Sequence, residues 1–130
     1  MLGIRSAVVI EENNNVLLIK RIKNGQTYFV FPGGQVEQDE TIEQAAIREA
    51  LEEVGVVVEL LELLCKVQFN GQQFYYRAKI VDGKVGTGKG PEYSNPEIYT
   101  GIFEPIWLAK SELKSLDVRP AEVVNVIIYY

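Results

Sequence analysis

The sequence of 130 residues contains no histidine, the side chain that most often moves protons near neutral pH. Triads built on imidazole and histidine zinc sites are therefore excluded, and proton transfer would fall to carboxylates, lysine, tyrosine or metal-bound water. The single cysteine, Cys65, excludes an internal disulfide. It lies in an apolar run, where we expect a buried thiol rather than a reactive one.

The chain also lacks long apolar runs and an excess of positive charge. It has no run of eighteen apolar residues and shows no signal peptide, so we expect a soluble, cytoplasmic protein without membrane contact. The formal net charge of -5 argues against nucleic acid as a partner, because phosphate backbones require a basic face. A small nucleotide remains allowed, since divalent ions can bridge acidic side chains to phosphates. With 47% apolar and 24% charged residues, the length favours one domain, 1–130, with one core.

Three acidic residues, Glu49, Glu52 and Glu53, have the spacing of neighbours on one face of a helix. Crowded carboxylates repel one another, and hard divalent cations with oxygen ligands relieve that repulsion. The spacing therefore indicates a metal site, with Mg²⁺ as the expected ion. The opposite side of the helix carries an apolar stripe that we expect to face the core. It consists of Ile47, Ala50, Leu51 and Val54.

Local signals set the ends of this helix. Thr41 followed by Gln44 has the pattern of a capping box, and Gly55 suits the left-handed position just past a helix end. The helix should begin near Thr41, and residues 33–39 should form a loop in which Gly33 and Gly34 bring the backbone close to a bound ion.

The whole segment 34–56 resembles the Nudix box, the signature of the Nudix hydrolase family, G-x5-E-x7-R-E-U-x-E-E-x-G-U, where U is aliphatic. Seven fixed and two aliphatic positions fit. They are Gly34, Glu40, Arg48, Glu49, Ala50, Glu52, Glu53, Gly55 and Val56. At roughly 1/15 per fixed position, a chance match is on the order of one in 10⁸.

The resemblance implies a fold, an activity and a ligand set. The fold would be a single-domain α/β (α+β) sandwich with a central mixed β-sheet between helices. The activity would be hydrolysis of a nucleoside diphosphate linked to another group, with Mg²⁺, or Mn²⁺ as a substitute, held by Glu49, Glu52, Glu53 and the Gly33 carbonyl. Gly34, Glu40 and Arg48 would support these ligands, and a Glu40–Arg48 pair would brace the loop against the helix. Homodimers are common among relatives, which leaves a homodimer open.

The rest of the chain is compatible with this order of elements. Strands are predicted at 4–10, 16–21, 28–31, 56–69, 72–81 and 98–108. Ser111 is expected to cap a short helix, and Pro120 to stand in the first turn of a second helix with Val123, Val124, Ile127 and Ile128 on one side. A β-branched C-terminal strand is the alternative.

The segment 83–96 imitates the start of a phosphate-binding loop, but Gly90 stands where that motif needs Ser or Thr, and Pro91 and Pro96 oppose a following helix. We expect a loop beside a pocket instead. In proteins with the Nudix fold an acid from the corresponding loop can reach the metals or the attacking water, so Glu92 is our fourth catalytic candidate. An ordinary exposed glutamate is the alternative, and Glu97 and Glu104 are weaker rivals.

Substrate contacts are predicted at Arg5 and Arg21, for phosphates, and at Tyr28, for stacking on a base. Other candidates are Lys20, Lys23, Phe29, Tyr75 and Tyr76, with core packing or solvation as the alternative for each. Two marks of Nudix subfamilies are missing: a proline about sixteen residues past the box, as in many ADP-ribose enzymes, and a tyrosine at the spacing usual for dinucleoside polyphosphates. Their absence favours nucleoside triphosphates, including oxidised ones. ADP-ribose, dinucleoside polyphosphates, nucleotide sugars, a non-catalytic nucleotide-binding module and a purely structural ion site remain alternatives, and the residues do not decide which glutamate is the base.

Overall fold

The computed structural model describes residues 3–88 and 102–129. Eight strands occur in these residues: β1 Ile4–Glu12, β2 Asn15–Lys23, β3 Gln26–Val30, β4 Gly33–Gln35, β5 Val56–Gln68, β6 Gln72–Gly83, β7 Ile102–Ala109 and β8 Val118–Arg119. The helices are α1 Ile42–Val54, a 3₁₀ helix Lys110–Ser115 and α2 Ala121–Ile128.

The strands form one mixed sheet that opens into two leaves. In the first leaf β1 pairs parallel with β6 and antiparallel with β4, and β5 pairs antiparallel with β6. In the second leaf β2 pairs antiparallel with β3 and β7, and β3 pairs parallel with β8. The leaves are joined where β1 meets β2, through the pairs Glu11–Val16 and Glu12–Asn15. The cleft between the leaves is the space in which a ligand can bind.

Strand β1 is buried on both faces, which explains why it reads as a continuous apolar run. Ala7 and Val9 belong to one cluster of core residues, whereas Val8 and Ile10 belong to another. Ala50 and Val54 of α1 lie in the cluster of Val8, and Val123 and Ile127 of α2 lie in the cluster of Ala7. The predicted sandwich, with the acidic helix on one side of the sheet and the C-terminal helix on the other, is therefore confirmed.

The ends of α1 are those that the sequence predicts. Thr41 Oγ1 accepts from the Gln44 N–H at 3.0 Å, and Gln44 Oε1 accepts from the Thr41 N–H at 2.8 Å, so the capping box is closed in both directions. Gly55 follows the helix at φ 82°, and its N–H donates to the Leu51 carbonyl. Such a φ is costly for residues with a Cβ.

The predicted buried stripe of α1 is wrong at two of its four positions. Ala50 and Val54 are fully buried, but Ile47 is 38% and Leu51 50% exposed. The buried face is turned towards Ala45 and Ala46 instead, and it also carries Glu53. The rotation follows from the neighbouring backbone, because the glycines of β4 leave room for a carboxylate that most packing surfaces would exclude.

Four further expectations need correction. The predicted loop 33–39 begins with a strand, because Gly33–Gln35 pairs with β1. The short helix is confirmed as a 3₁₀ turn, but Ala109 rather than Ser111 occupies its N-cap position, with no side-chain cap. The C-terminal helix is confirmed, so the alternative strand is excluded, and Pro120 stands at its N-cap, one residue before the first turn. Cys65 is only partly buried.

In residues 3–88 and 102–129 no helix has both the length and the apolar character needed to cross a bilayer.

Candidate active site

The glycines of β4 let two carboxylates of α1 reach the cleft. Glu53 is only 5% exposed, and its Oε1 accepts from the Gly33 N–H at 2.8 Å. A Cβ built on Gly34 would collide with the Glu49 carboxylate, with 2.9 Å to Oε1. Because Gly33 and Gly34 have no side chains, the carboxylates of Glu49 and Glu53 can contact the backbone of β4 directly. The Gly33 carbonyl stays a predicted ligand, since the contact made by Gly33 in this structure is through its N–H.

Arg48 is the cation that holds the acidic segment together. Its Nε donates to Glu40 Oε2 at 2.7 Å, and its Nη2 donates to Glu40 Oε1 at 3.1 Å and to the Gln35 carbonyl at 3.0 Å. Its Nη1 lies 3.0 Å from Glu49 Oε2 and 3.2 Å from Glu52 Oε2. The predicted bracing of the preceding loop against the helix is therefore present.

The charges respond to this arrangement. Hydrogen bonds from Arg48 hold the pKa of the Glu40 carboxyl below its ordinary value, and the same bonds raise the pKa of the guanidinium. Both groups therefore stay charged near neutral pH, and the guanidinium offsets the repulsion among the neighbouring carboxylates.

The three predicted metal ligands do not close into one set here. Within the part of the chain that the structure describes, no three acidic or cysteine side chains converge tightly enough to hold one ion together. Glu49 and Glu53 rest against Gly33 and Gly34, whereas Glu52 is turned to Arg48. The donor set still fits Mg²⁺, since all the groups are hard oxygen donors and the two that flank β4 line one pocket. The Glu52 side chain is 40% exposed and does not line that pocket, so its place in the ligand set stays a prediction.

A pocket of about 650 Å³ extends from these carboxylates. Its lining falls into an acidic end at β4 and α1, a wall from each leaf of the sheet, and the start of α2. The lining residues are Arg5, Arg21, Tyr28, Val30, Phe31, Gly33, Gly34, Glu49, Glu53, Val67, Phe69, Gln73, Tyr75, Phe103, Arg119, Pro120 and Glu122. The volume is in the range of small-molecule sites.

The wall from the second leaf alternates aromatic rings and guanidinium groups. Arg21 is paired in register with both Tyr28 and Phe103, so the three side chains stand side by side on one face. The Arg21 guanidinium lies 5.0 Å from the centre of the Phe103 ring, and that of Arg119 lies 4.1 Å from the centre of the Tyr28 ring. Both are cation–π distances, so each guanidinium contacts an aromatic ring of this wall.

The predicted substrate residues Arg5, Arg21 and Tyr28 all line the pocket. Of the further candidates only Tyr75 does so. Phe29 and Tyr76 are buried in the core, and Lys20 and Lys23 lie outside the lining.

Sequence reasoning missed Phe103, Arg119 and Glu122. For Phe103 and Arg119 the signal that could have found them is strand register, which places Phe103 beside Arg21 and Arg119 beside Val30. Alternation within each strand would then have put them on the pocket side.

The predicted loop acids Glu92 and Glu97 lie outside the described residues, so the place of Glu92 stays a prediction. Glu104 is exposed on β7 and does not line the pocket. The described part of the same loop packs on the end of α1: the Gly86 N–H donates to the Val54 carbonyl at 3.0 Å, and Thr87 Oγ1 donates to the Gly55 carbonyl at 3.3 Å.

The two-leaved sheet, the flanking helices and the acidic helix beside a pocket define an α/β sandwich with a candidate ligand site. The chain belongs to the Nudix family. A family model described as the NUDIX domain matches residues 2–124, nearly the whole sequence.

Curated relatives match shorter stretches. An ADP-ribose pyrophosphatase of Methanocaldococcus jannaschii is 46% identical over 57 residues, which cover 43% of this chain and 34% of that protein. The 8-oxo-dGTP diphosphatase of Escherichia coli is 34% identical over 70 residues, which cover 52% of this chain and 54% of that protein. The matches therefore span between about a third and about half of these relatives' lengths.

Solved structures agree over almost the whole chain. A NUDIX hydrolase from Nitrosomonas europaea superimposes with a TM-score of 0.76 at 26% identity, covering 98% of this chain and 86% of that one. An ADP-ribose pyrophosphatase from Streptococcus suis has a TM-score of 0.73 at 13% identity, covering 99% and 91%; at that identity the likeness concerns the fold alone.

Proposed function

We propose that this protein is a Mg²⁺-dependent pyrophosphohydrolase, with Mn²⁺ as a substitute ion, that cleaves the phosphoanhydride of a nucleoside diphosphate linked to another group. One observation carries the proposal: the buried Glu53 carboxylate rests on the Gly33 N–H beside Glu49, in a pocket that also contains Arg5, Arg21 and flat aromatic surfaces. Such a pocket combines ligands for a hard cation with groups for phosphates and a base.

The residues divide the work as follows. Glu49, Glu52, Glu53 and the Gly33 carbonyl would hold one or more Mg²⁺ ions, while Gly34, Glu40 and Arg48 fix the position of those ligands. When bound, Mg²⁺ offsets the charge of the phosphate oxygens and acidifies water. Arg5 and Arg21 would orient the phosphates, and Tyr28 would contact the base.

In the chemical step water attacks a phosphorus, the bridging P–O bond breaks, and a carboxylate accepts the proton of the water. Glu49, Glu52, Glu53 and Glu92 are all candidates for this base, because carboxylates around one ion titrate as a coupled group.

Among substrates we propose nucleoside triphosphates, including oxidised ones, because the sequence lacks the marks of two other Nudix subfamilies, those acting on ADP-ribose and on dinucleoside polyphosphates. Relatives named 8-oxo-dGTP diphosphatase support this choice. The 46% identical stretch in an ADP-ribose pyrophosphatase makes ADP-ribose the second candidate. Dinucleoside polyphosphates and nucleotide sugars complete the set to be tested.

The test is a panel of these compounds incubated with the protein, with and without Mg²⁺, while phosphate or nucleoside monophosphate release is measured. We expect Mg²⁺-dependent hydrolysis of at least one triphosphate. A nucleotide-binding module without catalysis, or a structural ion site, predicts no hydrolysis from any member, and that result would overturn the proposal.

A second measurement assigns the chemistry to the acidic helix. Glu53→Gln keeps the size of the side chain and its bond to the Gly33 N–H, so the fold should persist while turnover falls by about two orders of magnitude or more. Glu59→Gln, at an exposed position on β5, is the matched control and should keep its rate. A Glu53→Gln protein that folds normally and turns over at near the original rate would rule out this role.

A further inference from the structure

The last turn of α1 combines two carboxylates with the negative end of the helix dipole. Glu52 and Glu53 lie in this turn, which contains no basic residue. Arg48, one turn earlier, contacts the Glu52 carboxylate at 3.2 Å, and the Gly55 N–H donates to the Leu51 carbonyl at 3.0 Å. We expect a helix end of this kind to fray unless other parts of the chain supply donors to its remaining carbonyl groups.

Residues 84–88, which follow β6, lie on this helix end, and we call them the capping segment. The Gly86 N–H donates to the Val54 carbonyl at 3.0 Å. The Thr87 Oγ1 lies 3.3 Å from the Gly55 carbonyl oxygen, and at 2.7 Å it also contacts a carbonyl within the segment. The capping segment therefore brings N–H and O–H donors to carbonyl groups that helix geometry leaves without partners.

Gly88 brings the backbone of the capping segment against the two acidic residues themselves. A Cβ built on Gly88 would lie 2.5 Å from the Glu53 carbonyl oxygen and 2.6 Å from the Glu52 carbonyl oxygen. A Cβ on Gly55 would lie 2.7 Å from the carbonyl carbon of Thr87 and 2.8 Å from the Gly88 nitrogen. Only residues without a side chain allow the two backbones to approach so closely.

The position of this helix end determines where the Glu53 carboxylate lies. That carboxylate is only 5% exposed and accepts from the Gly33 N–H at 2.8 Å. Rotation or fraying of the last turn would move the Glu53 backbone and separate the carboxylate from β4. Glu49 lies one turn earlier and should depend less on how the helix ends.

We propose that the capping segment, through Gly86, Thr87 and Gly88, positions Glu52 and Glu53 to bind a divalent ion. The three are positioning residues, because they act through the backbone of α1 and are not themselves proposed as ligands of the ion. This inference rests on the proposed function, in which Glu52 and Glu53 are ligands of Mg²⁺.

The test measures the affinity for Mn²⁺ alone, by electron paramagnetic resonance, at a temperature where every variant is folded. Gly88→Ala should raise the Kd for Mn²⁺ by about tenfold, a usual effect of losing a group that orients a metal ligand. Thr87→Val removes the hydroxyl while keeping the shape of the side chain, and it should raise the Kd by less, since the backbone contacts remain. Thr87→Ser, which keeps the hydroxyl, should retain the affinity.

Thr41→Val is the matched control, because it removes the hydroxyl that caps the opposite end of the same helix. It should lower the melting temperature, as the loss of an N-cap does, while the Kd for Mn²⁺ stays close to that of the parent protein. If the capping segment only stabilised the fold, Gly88→Ala and Thr87→Val would also lower the melting temperature without changing the Kd, and the proposal would be wrong.

Hydrolysis assays separate this proposal from the proposed function. A parent protein that binds Mn²⁺ more tightly than Gly88→Ala but hydrolyses no nucleotide would support the capping segment's role and contradict the catalytic proposal. Equal Kd values in the two proteins, together with Mg²⁺-dependent hydrolysis by the parent, would do the reverse. A parent protein that binds no Mn²⁺ would overturn both.

Discussion

At the scale of single residues, Arg48 shows why the acidic helix can exist without a large electrostatic penalty. One guanidinium contacts Glu40, Glu49, Glu52 and the Gln35 carbonyl. These partners lie in different directions around a planar group, so the five N–H donors of arginine are matched to them in a way that a lysine ammonium cannot reproduce. Charge alone is therefore insufficient at this position.

Arg48→Lys keeps the positive charge but replaces the planar guanidinium and its five N–H donors by an ammonium group. We expect the free energy of unfolding to fall by about 1–2 kcal/mol, because at least one carboxylate and the Gln35 carbonyl lose their donor. Turnover should fall as well, since Glu49 loses the contact that orients it. Urea unfolding and steady-state kinetics measure the two effects.

Arg77→Lys is the matched control for this change. Arg77 pairs with Glu62 on the surface, where both side chains are 42% exposed. Arg77→Lys should lower the free energy of unfolding by less than about 0.5 kcal/mol. Equal losses of stability at the two positions would show that Arg48 acts only as a positive charge.

At the scale of secondary structure, what the sequence predicts depends on how local the cause is. The helix caps at Thr41 and Gly55 were predictable because each depends on residues within a few positions. The strand at β4 and the exposure of Ile47 and Leu51 were not, because they depend on pairing with β1 and on which side of α1 meets the sheet. The apolar pattern predicted that α1 is an amphipathic helix. It did not predict which side of the helix faces the sheet, because the inner face carries small alanines and a buried glutamate.

The two glycines of β4 should respond differently to an added methyl group. At Gly34 the new Cβ would meet the Glu49 carboxylate, the end of a flexible side chain, with no positive φ to strain. Gly34→Ala should therefore keep its stability within about 0.5 kcal/mol while lowering kcat, because Glu49 is displaced.

Gly33→Ala is the contrasting variant. Its Cβ would lie 2.6 Å from the Ser6 carbonyl oxygen and 2.7 Å from Ala7 Cα, backbone atoms that cannot move aside. We expect a loss of about 1–3 kcal/mol in the free energy of unfolding, measured with urea. If Gly34→Ala were the more destabilising of the two, the account of β4 as a backbone platform for Glu49 would be wrong.

At the scale of the whole molecule, the candidate site joins parts of the chain that are far apart in sequence. The Nudix box predicted the acidic end because its residues are consecutive on one loop and one helix. The opposite wall could not be predicted in the same way, because Phe103 and Arg119 reach the pocket only through the pairing of β7 with β2 and of β8 with β3. Arg5, Arg21 and Tyr28 were proposed for their chemistry, and the register brings them into one pocket.

Binding of a divalent ion should appear as stability of the entire fold. The chain carries a formal net charge of -5, and the folded state brings Glu49 and Glu53 to one strand, whereas the unfolded chain keeps them apart. An ion that binds only the folded state stabilises it by about 2.7 kcal/mol at a concentration of 100 times Kd, which raises the melting temperature by several degrees. We expect Mg²⁺ and Mn²⁺ to produce this shift, measured by calorimetry without nucleotide.

Sodium chloride at matched ionic strength separates ion binding from general screening of the acidic surface, because screening acts on all charges and does not need Glu53. Glu53→Gln should abolish the shift caused by Mg²⁺, whereas Glu59→Gln should retain it. The same shift in the Glu53→Gln protein, or with sodium chloride alone, would contradict a divalent-ion site at the acidic helix. That outcome would leave Arg48 as the only cation these carboxylates need, and the acidic segment would then be a structural brace.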